Sequence, residues 1–215
     1  NFSPDGGMFA VQAMASEELG KDVVKIRSEA DAAIVEARVK ALLAKPLSAS
    51  SAVQVALLNN RGLQAAYNEL GISEAQMVEA SLPPPPTIAL TRLVWSGGYE
   101  IERQILQNVL GLLTLPRRRE IAEARFRQAQ VRAVETTLRT AAEARRAYYR
   151  AVAARETAEF LAQSKTAAET ATKLAKRLGE TGAMNKLDQA REQVFYAEIT
   201  AQLASQEQRA ASERE

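Results

Sequence analysis

The side chains available for chemistry are mainly acids and arginines, because the chain contains no histidine and no cysteine. Histidine is the commonest general base and transition-metal ligand, and cysteine supplies thiol nucleophiles, disulfides and zinc ligands. Glu100 and Glu102 alternate with apolar residues in a predicted strand. That alternation favours a strand face that lines a polar space over an acid–base pair.

Motifs for cofactors and metals are absent from the sequence. It contains no G-x-x-x-x-G-K-[ST] loop, no G-x-G-x-x-G loop and no spacing typical of metal ligands. An enzyme built from Asp, Glu, Lys or Tyr alone is improbable. We therefore expect no catalytic residue, no cofactor and no metal.

Arginines and tyrosines mix at residues 145–150 (RRAYYR), a combination that also occurs in proteins that bind nucleic acids. Glu143 and Glu156 flank this cluster, and the net charge of the chain is only +2. Nucleic-acid binders usually have a clear basic excess. We expect packing by the tyrosines and no nucleic-acid partner.

The first part of the chain has helical periodicity. Apolar residues recur at spacings of three and four from Val23 to Ala37, and Lys45-Pro46 ends this segment, which we assign to residues 1–46. A further helix is predicted over residues 47–82, with a serine between Ser48 and Ser51 as its N-cap. Its apolar stripe consists of Val53, Ala56, Leu57, Leu63, Tyr67 and Leu70.

Residues 83–86 are four prolines, which cannot continue a helix. Period-two alternation follows and predicts a β-hairpin over residues 87–106, with its turn at Ser96-Gly97-Gly98. Trp95 and Tyr99 flank the turn. They indicate either a hairpin packed on the surface of its own chain or aromatic residues at a membrane interface.

A very long helix is predicted to begin at Pro116, after an apolar connector at residues 109–115, and to end near Leu178. Sixty residues of helix are about 90 Å long. A coiled-coil seam of mostly small residues runs along it: Val131, Val134, Leu138, Ala141, Arg145, Tyr148, Val152, Ser164, Ala167, Ala171, Leu174 and Leu178.

Gly179 and Gly182 bracket a short turn, so the helix that follows must run antiparallel to the long one. Each glycine, considered alone, is typical of a left-handed helix cap. The second helix has apolar residues at Leu187, Val194, Ile199 and Leu203. The predicted fold class is mainly α, with long antiparallel coiled-coil helices and a short β-hairpin insertion.

The ends of the sequence favour a fragment. The first residue is not methionine, and residues 212–215 stop inside a helical pattern without a cap. We therefore expect that both ends are cut and that a missing signal peptide carries no information on the compartment.

Three local patterns resemble TolC-type outer-membrane efflux proteins. Residues 47–66 (LSASSAVQVALLNNRGLQAA) are similar to the opening helix of that family, although Arg61 and Gly62 stand where the family often has Pro and a charged residue. Ala147-Tyr148-Tyr149 resembles the Ala-Tyr-Phe of its long helix, and residues 177–191 (RLGETGAMNKLDQAR) resemble its turn. The order of elements over residues 47–215 resembles one of the two repeats of the family.

The resemblance implies half of a protomer that builds an α-barrel and a β-barrel. Three such subunits would form a passive outer-membrane conduit in a tripartite efflux or export system of a Gram-negative bacterium. A periplasmic adaptor and an inner-membrane pump would be its partners. The domains would be residues 1–46 and the repeat 47–215, which contains helix 47–82, hairpin 87–106 and helical hairpin 116–215.

The resemblance also implies two functional surfaces. The turn would be the periplasmic tip that docks the adaptor, through Gly179, Glu180, Thr181, Gly182, Ala183 and Asn185. Outer-membrane lipid would contact Trp95, Tyr99, Arg117, Arg118 and Arg119, whereas the arginines taken alone are typical of a solvated charge run. The alternative is a periplasmic adaptor or another coiled-coil scaffold.

Overall fold

The computed structural model describes residues 2–213. It is mainly helical, at 74%, and has a two-stranded antiparallel sheet, which confirms the mainly α class. The chain divides into two compact units. One contains the residues up to 45 together with 54–141, and the other contains residues 46–53 and 142–215.

The N-terminal segment contains two helices, not the single helical run that the sequence predicts. Helix α1 (Phe9–Leu19) ends at Gly20, which has a left-handed φ of 57°. Helix α2 (Glu29–Leu43) begins after Ser28, whose hydroxyl accepts the N–H of Asp31 while the Asp31 carboxylate accepts the N–H of Ser28. This capping box and the glycine stop explain the break.

The extended residues between α1 and α2 are held by two glutamines. Gln54 accepts the N–H of Asp22 at 3.2 Å and donates to its carbonyl at 2.8 Å. Gln64 accepts the N–H of Ile26 at 3.0 Å and donates to the Val24 carbonyl at 2.7 Å. These side chains replace the backbone partners that a strand would need.

The predicted helix 47–82 is also divided in two. Helix α3 (Ala49–Asn59) is followed by α4 (Arg61–Ala80), because the side chain of Asn60 caps α4 by accepting the N–H of Leu63 at 2.9 Å. The serine cap is confirmed, since the Ser51 N–H donates to the Ser48 hydroxyl. Most of the predicted apolar stripe is buried: Val53, Leu57, Leu63, Tyr67 and Leu70.

The β-hairpin forms where the sequence predicts it. Strand β1 (Thr87–Trp95) pairs antiparallel with β2 (Gly98–Leu106), and Ser96 and Gly97 form the connecting turn. Neither Ser96 nor Gly97 has a positive φ, so this turn lacks the left-handed residue that the commonest two-residue hairpin turns require.

The long helix α5 (Val109–Glu180) begins seven residues earlier than predicted, so the proposed connector is helical. Asn108 acts as its cap, because its Oδ1 accepts the N–H of Gly111 at 2.8 Å. Pro116 therefore lies inside the helix. Helix α6 (Lys186–Ser212) completes the chain, and no described helix is long and apolar enough to cross a membrane.

The seam of α5 is shifted from its predicted register. The buried residues are small: Ala133, Thr137, Thr140, Ala141, Ala154, Ala168 and Ala175. Val131, Leu138 and Leu174, which were predicted to be buried, are exposed. Small side chains let neighbouring helices of each unit approach closely, which leaves the larger apolar side chains facing outward.

Candidate functional site

The turn between α5 and α6 is closed by hydrogen bonds to one carbonyl. The Leu178 carbonyl accepts the N–H of Ala183 at 2.8 Å and the Thr181 hydroxyl at 3.0 Å. Gly182 has a φ of 77°, which confirms its predicted left-handed conformation. A closed turn of this kind holds its outer surface in one shape.

Gly179 does not have the predicted left-handed conformation, because it lies within α5. It packs closely against the flexible end of a side chain instead, since a Cβ atom here would lie 2.1 Å from Nε2 of Gln189. That amide donates to the Met184 carbonyl at 3.1 Å. Gly179 therefore leaves room for a side chain of α6 that closes the turn.

Asn185 begins α6 and explains the Asn-Lys-Leu-Asp pattern of the sequence. Its Oδ1 accepts the N–H of Asp188 at 2.8 Å, and its Nδ2 donates to the Asp188 carboxylate at 2.8 Å. All six residues predicted at the tip thus lie in or beside one turn: Gly179, Glu180, Thr181, Gly182, Ala183 and Asn185. Their role in docking stays a prediction.

Helix α6 exposes an apolar surface just beyond the turn. Leu187, Val194 and Phe195 are 62%, 57% and 50% exposed, and a groove of about 350 Å³ passes beside Ala190. The sequence predicts Leu187 and Val194 within an apolar stripe, but Leu203 is the buried member of that stripe. An exposed apolar surface of this kind is typical of a protein-binding site.

We expect alanine at the two glycines of the turn to have different effects on stability. Gly182→Ala should lower the free energy of unfolding by about 1–2 kcal/mol, because an L-residue is strained at positive φ. Gly179→Ala should be almost neutral, since the gain of about 1 kcal/mol in helix propensity offsets the cost of moving the Gln189 amide away from its hydrogen-bond partner. Chemical denaturation followed by circular dichroism measures both. Equal losses from the two substitutions would contradict this account.

The hairpin has two chemically different faces. The register places Ile88, Leu90, Arg92, Val94, Tyr99, Ile101, Arg103 and Ile105 on one side, which we call the apolar face. The polar face comprises Thr87, Ala89, Thr91, Leu93, Trp95, Gly98, Glu100, Glu102, Gln104 and Leu106. The predicted alternation is confirmed, and Arg103 lies on the apolar face beside the isoleucines.

Every residue of both strands is exposed except Ala89, which is half-buried. The hairpin is therefore not packed on the surface of the described chain. Trp95 lies on the polar face opposite Gly98, and Tyr99 lies on the apolar face, so the strands do not bring these two aromatic residues together. The Arg92 guanidinium lies 4.8 Å from the centre of the Tyr99 ring.

The three predicted interface arginines differ in their partners. Arg117 pairs with Glu120 at 2.9 Å, and Arg119 pairs with Glu123 at 2.8 Å. The Arg118 side chain makes no ion pair or hydrogen bond with any described residue. The run lies two turns inside α5, beyond the first turn, where the N-terminal helix dipole acts most strongly.

No three His, Cys, Asp or Glu side chains among residues 2–213 are grouped closely enough to hold a metal ion. Comparison with known proteins gives no relative: no family model, no curated protein and no solved structure matches the chain.

Proposed function

We propose that this protein is a subunit of a TolC-type outer-membrane channel, which acts as a passive conduit in a tripartite efflux or export system. Three copies would combine, with the helices lining a periplasmic tunnel and the hairpins contributing to a β-barrel. The chain would perform no bond chemistry. An inner-membrane pump would supply the energy, and a periplasmic adaptor would connect the two.

The exposed hairpin is the observation that carries this proposal. A two-stranded ribbon with nothing packed on either face is marginally stable in water. Here one face is largely apolar and the other carries Glu100, Glu102 and Gln104. Neighbouring strands, lipid on one side and a watery lumen on the other would satisfy both faces. The strands have nine residues each, at the short end of the roughly 9–11 that span a membrane.

The helices support the same proposal. The seam of α5 is built of alanine and threonine, while Val131, Leu138 and Leu174 face outward. Outward apolar residues along long helices are suited to contacts with neighbouring helices of a tunnel wall. The apolar surface beside the turn provides a place for the adaptor, and sliding of the paired helices would open the tip.

The proposal is tested by placing tryptophan on either face of the hairpin. Trp95 is the single tryptophan of the chain, so Trp95→Phe gives a background without tryptophan. Ile101→Trp and Glu102→Trp then place probes on adjacent residues of opposite faces. In outer-membrane lipid vesicles that contain brominated acyl chains, we expect strong quenching at position 101 and weak quenching at position 102.

Aqueous iodide should give the reverse order, because position 102 would face the lumen. The matched pair controls for expression and fluorescence yield, since the two sites are one residue apart. Equal quenching of both probes by iodide, with none by brominated lipid, would favour a soluble adaptor or coiled-coil scaffold.

A further inference from the structure

Arg118, Arg125 and Arg132 follow one another at intervals of seven residues along α5. Seven residues are close to two helical turns, so the three side chains emerge from the same side of the helix, about 10 Å apart. They thus form a straight row of positive charge about 20 Å long.

This row lines a groove between α4 and α5. Arg118 and Arg125 border a cavity of about 210 Å³, and Arg125 and Arg132 border a second one of about 310 Å³. The two cavities share Ser73, Gln76 and Arg125, and together they form one continuous depression. We call this depression, with its three arginines, the arginine groove.

The arginines of the groove have no partner of opposite charge. Within the described residues, none of the three guanidinium groups forms an ion pair or a hydrogen bond, whereas those of the adjacent Arg117 and Arg119 are both paired. Glu69 also borders the groove but makes no ion pair. The groove therefore keeps an excess of positive charge that this unit of the chain does not neutralise.

Small residues lie between the arginines. Ala122, Ala129 and Ala133 alternate with them along the α5 side, and Ala80 borders the α4 side. Alanine at such positions lets another helix approach closely, while arginines on long side chains reach its charged groups.

We propose that the arginine groove binds an amphipathic helix of a partner protein that carries Asp or Glu at seven-residue intervals. Two helices packed side by side share their period, so a row of charges seven residues apart matches a row seven residues apart on the partner. Lipid headgroups and flexible polyanions impose no such spacing. The proposal does not depend on the conduit function.

A second copy of the chain is a poor source of this helix. Among the described helices, α2 alone has two acids seven residues apart, Glu29 and Glu36, and Glu36 is already paired with Lys40 at 2.7 Å. The partner helix is therefore expected to belong to a different sequence.

The test measures binding of two labelled synthetic helices to the purified protein by fluorescence anisotropy. One 21-residue peptide has three Glu at intervals of seven residues on an Ala/Leu/Gln background, and the other has the same composition with its three Glu at intervals of five residues. We expect the first to bind about tenfold more tightly and to weaken as salt is added. Equal affinity of the two peptides would overturn the proposal.

Variants then locate the binding site. The triple change Arg118→Gln, Arg125→Gln and Arg132→Gln should abolish the preference for the seven-residue peptide. The same change at Arg117, Arg119 and Arg127, which removes equal charge elsewhere on α5, should leave the preference intact. A loss of the same size in this control would place the binding outside the groove and refute the proposal.

Charge reversal keeps the test independent of a failure to fold. With glutamate at positions 118, 125 and 132, the protein should bind a peptide with Lys at every seventh position and reject the Glu peptide. Two other outcomes would refute the partner helix and identify a different occupant. Binding of anionic phospholipid vesicles through the three arginines, without binding of the peptide, would identify a lipid surface. Self-association of the protein that the triple Gln variant abolishes would identify a second copy of the chain.

Discussion

Cells that produce the protein without residues 87–106 are expected to lose it from the outer-membrane fraction. A short Gly-Ser linker would join Pro86 to Gln107. Helical content should persist, because the strands are exposed on both faces and cover none of the helices substantially. Fractionation followed by immunoblotting and circular dichroism measures both results. Retention in the outer membrane would refute the role proposed for the hairpin.

Point substitutions make the same prediction sharper. Ile101→Asp with Ile105→Asp places two carboxylates on the apolar face, where each is destabilising in contact with lipid, although by less than the about 2–4 kcal/mol that Arg or Lys costs at the bilayer midplane. Gln104→Asp is the matched control, because it adds a carboxylate to the polar face one residue away. The double variant should leave the membrane fraction and the control should stay. Loss of both proteins would point to misfolding in place of a lipid-facing surface.

Tyr67→Ala is expected to destabilise the unit formed by residues up to 45 and 54–141 by about 3–5 kcal/mol. The side chain is fully buried, at 0% exposure, and its hydroxyl lies 3.1 Å from Oγ1 of Thr137. Removing the ring leaves a cavity between α4 and α5 and also removes the hydrogen bond between the two hydroxyl groups. Guanidinium denaturation followed by circular dichroism measures the loss.

The control is Tyr67→Phe, which keeps the ring and removes the hydroxyl. We expect a loss of only about 0.5–1.5 kcal/mol, because the Thr137 hydroxyl still donates to the Ala133 carbonyl at 2.8 Å. If the phenylalanine variant were as unstable as the alanine variant, the hydrogen bond and not the packing would dominate.

Tyr67 also predicts a response to alkaline pH. Burial raises the pKa of its phenol from 10.0 to about 12, with the Thr137 hydrogen bond opposing this shift. The unfolded chain therefore loses this proton first, and the folded state loses up to about 2–3 kcal/mol of stability as pH rises from about 10 to 12. The difference in stability between the native protein and Tyr67→Phe should be constant below pH 10 and shrink above it.

Local signals in the sequence predict the hairpin and several caps. The Ser-Gly-Gly turn and the alternation after Tyr99 depend on neighbouring residues, and the pairing of Trp95 with Gly98 follows from them. The serine cap at Ser48 is local for the same reason. Such features need no knowledge of the rest of the chain.

Distant contacts account for the incorrect predictions. The hydrogen bonds between Gln54 and Asp22 join residues that are far apart in sequence. The extended segment between α1 and α2 was therefore predicted as helix. The seam of α5 was correctly predicted to consist mostly of small residues, but its register is shifted, because Ala133 and Thr137 are buried in place of Val131 and Leu138. Gly179 packs against the Gln189 side chain of the next helix, and a glycine in the sequence does not by itself indicate this contact.

Local signals likewise predict some features of the candidate sites and not others. The sequence identifies the residues of the turn, since the two glycines and the Asn185 cap are local signals. Helical spacing also separates Arg117 and Arg119 from Arg118, because only the first two have a glutamate three or four residues further on. The apolar surface at Leu187 is not predicted, since helical spacing alone does not show which face of a helix is covered.

The most direct test of the conduit is the mass of the complex in the membrane where it would act. The product of the gene that encodes these residues would be extracted in mild detergent from the outer-membrane fraction, and its mass would be measured by native mass spectrometry. The account predicts a trimer in that fraction. A soluble monomer or dimer in the periplasm would contradict the account and favour a coiled-coil scaffold with the hairpin as an appendage.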